Sequence, residues 1–129
     1  MKQLLLCTIL AVLFVACEKT ESSTYSLGGQ YMGIFSRTGM DTSQVSIYFD
    51  QNRYEGISSR THYPAVCKGT FVLDDNTINF SDSCAWPASF DWSLILSGTY
   101  NLQISEGTVR IWKTNGAITD EYLLRQPTR

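Results

Sequence analysis

Cys67-Lys68-Gly69-Thr70-Phe71-Val72-Leu73-Asp74-Asp75-Asn76-Thr77-Ile78-Asn79-Phe80-Ser81-Asp82-Ser83-Cys84 reads as a β-hairpin. Asp75-Asn76 supplies a two-residue turn, because Asp and Asn tolerate the positive φ that tight hairpins require. Cross-strand partners then have residue numbers that add to 151. Leu73 faces Ile78, Val72 faces Asn79, Phe71 faces Phe80 and Thr70 faces Ser81. One face holds Phe71, Leu73, Ile78 and Phe80. The other holds Lys68, Thr70, Asn79, Ser81 and Ser83, with Val72 as the exception. Alternation with one apolar face is the mark of a half-buried antiparallel pair. A slip of one residue would scramble all of these pairings. Carried outward, the register sets Cys67 opposite Cys84. The cysteines play no part in choosing that register, so their meeting is independent support for a disulfide. In the chain-entropy model a link of this span stabilises by roughly 3 kcal/mol.

The 129 residues suit one domain. A hydrophobic content of 43% with 17% charged residues is too apolar for a disordered chain. The aromatic share of 12%, rich in Tyr and Phe, suits strands. The formal net charge is −2 and there is no basic patch, so nucleic acid is not expected as a partner.

Met1-Lys2-Gln3 followed by the apolar run Leu4 to Val15 has the form of an export signal, too short to cross a membrane as a mature helix. The run ends in Phe14-Val15-Ala16-Cys17, which resembles a bacterial lipoprotein signal: a small residue precedes a cysteine that is lipidated and becomes the mature N-terminus. The resemblance implies a signal peptide over 1–16, lipidation at Cys17 and a membrane as partner through that lipid. It places the protein in the cell envelope, at the outer membrane. Glu18-Lys19-Thr20-Glu21-Ser22-Ser23-Thr24 is polar and aperiodic and reads as a flexible tether, here taken as 17–27. Its acidic residues resemble surface-export signals of Bacteroidota lipoproteins. Loss of 1–16 removes Lys2 and leaves nine basic and twelve acidic side chains, a net of −3. Of the remaining cysteines one is lipidated and two pair, as suits an oxidising compartment.

The domain runs over 28–126, with 127–129 as a tail. Strands are expected over 30–36, 44–50 and 53–58. Two loops, 37–42 and 59–65, interrupt them. The disulfide hairpin follows. Ala85-Trp86-Pro87-Ala88-Ser89-Phe90-Asp91-Trp92 breaks the alternation and reads as a loop or short helical turn. A short strand is expected over 93–96. A hairpin turning at Glu106-Gly107 then pairs Ile104 with Val109 and Leu102 with Ile111, and Asn115-Gly116 turns the chain into a last strand over 119–126. Consecutive short strands joined by tight turns favour an all-β, up-and-down antiparallel barrel of about eight strands, which leaves no open edge. An immunoglobulin-like sandwich is the rival, but the local cysteine pair does not fit an inter-sheet bridge.

Gly29-Gln30-Tyr31, Leu96-Ser97-Gly98-Thr99-Tyr100 and Glu121-Tyr122-Leu123-Leu124-Arg125 resemble the small lipocalin-like lipoproteins of Bacteroidota. The resemblance implies a calycin-type barrel, often without an assigned activity. The lipocalin Gly-x-Trp is departed from, with Tyr31 at the Trp position, and no site residues carry across.

Nucleophilic catalysis needs a base beside its nucleophile. The only histidine, His62, lies in a polar loop and reads as solvated. Asp74/Asp75 and Asp120/Glu121 fall at turns, where Asp serves the backbone. No phosphate loop, dinucleotide fingerprint or nucleophile elbow occurs. No enzyme, metal or cofactor is therefore expected. Trp86, Phe90 and Trp92 are the candidate site: a mouth that stacks an apolar or sugar ligand, or a plug of the barrel end. The expected function is a non-catalytic envelope barrel that binds a small apolar ligand. The alternative is a filled barrel that meets an envelope protein through loops 59–66 and 85–92. Trp112 falls on the outer face, opposite Asn101.

Overall fold

Glycines and alternating apolar residues build the wall of the barrel strand by strand. In the computed structural model, which describes residues 25–128, the strands are β1 (Gly29–Arg37), β2 (Ser43–Asp50), β3 (Arg53–Ser58), β4 (Lys68–Leu73), β5 (Thr77–Asp82), β6 (Gly98–Ser105), β7 (Thr108–Asn115) and β8 (Ile118–Arg125). The signal peptide 1–16, Cys17 and the first part of the tether lie outside the described residues. Each strand pairs antiparallel with the next, and β8 returns to β1, so the sheet closes. The β4–β5 register is Phe71↔Phe80 and Leu73↔Ile78, as the hairpin pattern requires. The β6–β7 register is Leu102↔Ile111 and Ile104↔Val109. Cys67 and Cys84 form the disulfide, with Cα atoms 6.4 Å apart.

Alternate residues of every strand point inward and fill the barrel. Phe35, Ile47, Phe49, Tyr54, Ile78, Phe80, Tyr100, Ile111, Tyr122 and Leu124 are 2% exposed or less. The rings meet edge-on: Phe49–Phe71 and Tyr54–Phe80 at 5.1 Å, and Phe80–Tyr100 at 5.7 Å. Such pairs add about 0.5–1.5 kcal/mol each to their burial. Leu27, in the tether segment by sequence, is 4% exposed and belongs to this core. Closure of so narrow a sheet bends the wall sharply. A Cβ at Gly33 would collide with the Leu123 carbonyl, and one at Gly69 with the Ser81 carbonyl. Only glycine lets neighbouring strands approach so closely.

The two ends differ. Turns 51–52, 74–76 and 106–107 are tight and share their end with residues 25–28 and 126–128. Gln126 Nε2 donates to the Gly28 carbonyl there, at 3.0 Å. Segments 38–42, 59–67, 83–97 and the turn 116–117 form the opposite, loop end. The stretch 93–96 is not the strand that its sequence led us to expect. Trp92–Leu94 is a 3-10 turn, and only Ile95 pairs, in a single parallel bridge to Ala65. The reason is direction: the segment crosses the barrel mouth instead of running along the wall. Asp91 also caps it, accepting from the Ser93 N–H at 2.9 Å.

Candidate functional site at the loop end

The floor of the loop end is a charged row on the inner wall. Arg37, Asp120 and Lys113 are cross-strand neighbours on β1, β8 and β7. Arg37 Nε and Nη2 donate to the two Asp120 oxygens at 2.6 and 2.7 Å. This is the fork geometry that makes arginine–carboxylate pairs strong. Both side chains are buried, 7% and 8% exposed. Hydrogen bonding to Asp120 pushes the Arg37 pKa up, outweighing the opposing effect of burial. Arg37 Nη1 also reaches Asp91 at 3.0 Å, and Nη2 the Ser93 hydroxyl at 3.1 Å. One buried arginine thereby ties the crossing segment to the barrel wall. Asp91 is held below its ordinary value, first by hydrogen bonds from Ser93 and then by Arg37. Lys113 sits 4.4 Å over the Tyr100 ring and donates to the Ser97 carbonyl at 3.3 Å. Burial lowers its pKa, against the attraction of Asp120.

Three further bonds fix the crossing segment over the core. Ala65 N–H donates to Leu94 O and Leu96 N–H to Ala65 O, each at 3.0 Å. The Tyr54 hydroxyl donates to Leu96 O at 3.2 Å. With the disulfide, these make loops 59–67 and 83–97 one unit.

The aromatic candidates divide on this unit. Trp86 and Phe90 come together, 5.7 Å apart, and His62 joins them. His62 stacks on Phe90 at 4.3 Å and meets Trp86 edge-on at 5.6 Å. His62 is thus a half-buried member of the cluster, where its polar neighbours had indicated a solvated loop residue. Trp92 lies apart and 57% exposed. Neither tryptophan plugs the barrel, since Tyr63, Leu94 and Leu96 already pack into the core. Both indoles are pinned: Trp86 Nε1 donates to Asp82 Oδ2 at 2.7 Å, and Trp92 Nε1 to Pro87 O at 2.9 Å. Asp82 Oδ1 is buried with no partner.

A cleft of about 580 Å³ opens between Trp86 and Trp92, over Asp82, Ile95 and Ser97. A smaller one of about 240 Å³ lies on the other side of Trp86, beside Ile57, Arg60 and His62. A third, of about 590 Å³, runs along the outer wall of β2 to β5 between Tyr48, Arg53, Glu55 and Lys68. Trp112, on the outer face as its register requires, is half-buried beneath Arg110, whose guanidinium stands 4.1 Å from its ring. Arg110 also pairs with Glu121 at 2.6 Å.

Among the described residues no three His, Cys, Asp or Glu side chains stand close enough to hold a metal ion. No helix among them is long and apolar enough to cross a membrane. Arg37 and the orphaned Asp82 oxygen were missed from sequence. The signal for Arg37 was its parity with Phe35 on one strand, which a strand end at Ser36 concealed. Comparison of the chain with protein-family models, with curated proteins and with solved structures gave no match.

Proposed function

We propose that this protein is a lipid-anchored, non-catalytic component of a bacterial cell envelope that acts through its loop end. The observation that carries this reading is the filled interior. Rings that are 2% exposed or less occupy the space where a ligand-carrying barrel keeps a cavity. The clefts described above lie outside the wall, which favours surface recognition over the interior binding of a small apolar molecule. The anchor reading rests on Ala16-Cys17 and the apolar run before it. The chain enters the barrel at the tight-turn end, so an anchor at Cys17 attaches on the side opposite the disulfide-clamped loops.

The test is made on the full chain in its own cells. A photo-crosslinking residue is placed at Thr61 or Ala88 on the loop end, and at Asp75 or Glu106 on the other. Discrete adducts from the loop end alone are expected. Adducts from the tight-turn end alone, or from neither, overturn the reading. Incorporation of a fatty-acid label that is abolished by Cys17→Ser checks the anchor separately.

A further inference from the structure

We propose that the outer face of β1 and β8 is a membrane-docking surface, on which the barrel leans against the anionic phospholipid leaflet that holds its own anchor. The inference rests on the anchor reading and gives the barrel an orientation at that membrane.

The strand registers set the outward side chains on a grid. Met32 adjoins Arg125, Ile34 adjoins Leu123, and Leu123 adjoins Arg110. Met32, Ile34 and Leu123 are thus contiguous, and each keeps 40% or more of its surface in water. One row nearer the loop end, Trp112 extends the face beneath the Arg110 guanidinium. The most exposed large apolar side chains among the described residues, Ile57 and Val72, are placed differently. Their strand partners are polar, Ser46 and Asn79, so each stands singly, as such residues do on any surface.

Charge is the second observation. Without residues 1–16 the chain is acidic, at −3, yet the outer face of β7, β8 and β1 carries Arg110 and Arg125 against Glu121 alone. Glu121 is already paired with Arg110, and Arg125 has no ion pair among the described residues. Apolar side chains beside arginine are what an anionic lipid surface binds: the former enter the interface while the guanidinium meets phosphate.

The third observation is where the chain enters. Tyr25 to Gly28 lead directly into β1, the strand that bears Met32 and Ile34. Cys17 lies eight residues before Tyr25, so the tether spans at most about 28 Å. That is close to the length of β1 itself, nine residues or about 30 Å. An anchored barrel therefore keeps this wall within reach of the leaflet. Met32 and Arg125 lie toward the tight-turn end, so contact there leaves the loop end lifted. A tether makes docking intramolecular, at a high effective concentration, and a small apolar patch is then enough. A second copy would need about 1,200–2,000 Å² of interface, and would set two net-positive faces against each other.

The test uses the lipidated chain purified from its own cells and placed in phosphatidylcholine vesicles with about 30% phosphatidylglycerol. Dansylalanine is incorporated at Ile34 or, for comparison, at Val72, four strands round the barrel from β8. Lipids brominated along the acyl chain serve as quenchers. Quenching at Ile34 is expected to exceed that at Val72 about threefold. Arg125→Glu, with an unchanged circular dichroism spectrum, and vesicles of phosphatidylcholine alone should each reduce the Ile34 signal by about half or more. Equal quenching at the two positions, or Ile34 quenching indifferent to Arg125→Glu, overturns the proposal. So does a blue-shifted Ile34 emission without quenching, which reports a second copy on this face. If the fatty-acid label shows lipid on Cys17 while Ile34 is not quenched, docking falls and the anchor reading stands. If Cys17 carries no lipid, both fall.

Discussion

Replacement of Arg37 by methionine is the sharpest probe of how the loop end is held. Methionine keeps much of the apolar stem and removes the guanidinium. Asp120 then stays buried, 8% exposed, without its two charge-assisted bonds. Asp91 and Ser93 lose their tie to the wall at the same time. Breaking a buried pair from one side costs about 3–5 kcal/mol, because a charge is left without compensation. Against a total stability of about 5–15 kcal/mol for a small domain, that is a large fraction. Asp91→Asn removes only the partner that is 58% exposed, and should cost about 0.2–1 kcal/mol. The double variant Arg37→Met/Asp120→Leu replaces the pair with apolar groups and should recover most of the loss. Urea unfolding at pH 7, followed by tryptophan fluorescence and far-ultraviolet circular dichroism, gives all three values. The reasoning is refuted if Arg37→Met costs less than about 1 kcal/mol, or no more than Asp91→Asn does.

The Cys67→Ser/Cys84→Ser pair should lower stability by about 3 kcal/mol, for a loop of separation 17, and leave the strand signal intact; a loss below about 1 kcal/mol would contradict the loop-closure account. Gly33→Ala should cost about 1–3 kcal/mol or more because the Leu123 carbonyl must move, whereas Gly28→Ala meets nothing and should be near neutral; equal unfolding midpoints would show that the wall is looser than described. Burial pushes Tyr54, Tyr100 and Tyr122 up from the ordinary value of 10.0. Their neutral forms therefore add stability that is complete below pH 10 and lost as the pH rises above it. Lys113, lowered by burial, works in the opposite sense below 10.5, but it is one group against these three and Tyr63, which burial also raises. The urea midpoint should hold to about pH 9 and then fall, with phenolate absorbance rising in the same transition; a midpoint that climbs above pH 10 would be inconsistent with three buried phenols.

The parts of the fold legible in the sequence were those set by neighbours. Asp75-Asn76 and Glu106-Gly107 fix two registers within a few residues, and alternation then places Phe71, Phe80, Leu102 and Ile111 inward. The up-and-down barrel follows, since each pair but the last is a hairpin. What stayed hidden depends on distant partners. Arg37 beside Thr38-Gly39 looks like the start of a loop until Asp120, 83 residues on, comes to lie against it. Ser93 to Leu96 looks like a strand because Leu94, Ile95 and Leu96 are apolar, yet they are apolar to close the mouth of the barrel. The aromatic set was visible, but its division was not. His62 reaches Phe90 because the disulfide and the Ala65 hydrogen bonds join two loops.

The meeting of Gly28 and Gln126 gives the molecule nearly the topology of a ring. The place where the chain begins is then one choice among eight. A permutant joined from 128 to 25 and opened at Gly116-Ala117 keeps every strand neighbour and moves both ends to the opposite pole. Attached through its new N-terminus, such a protein would stand inverted on whatever carries it. The loops would face the attachment point, and the turns at 51–52, 74–76 and 106–107 would face outward. Stability would be nearly unchanged while the direction of display reversed, so the permutant separates what the barrel is from which way it points.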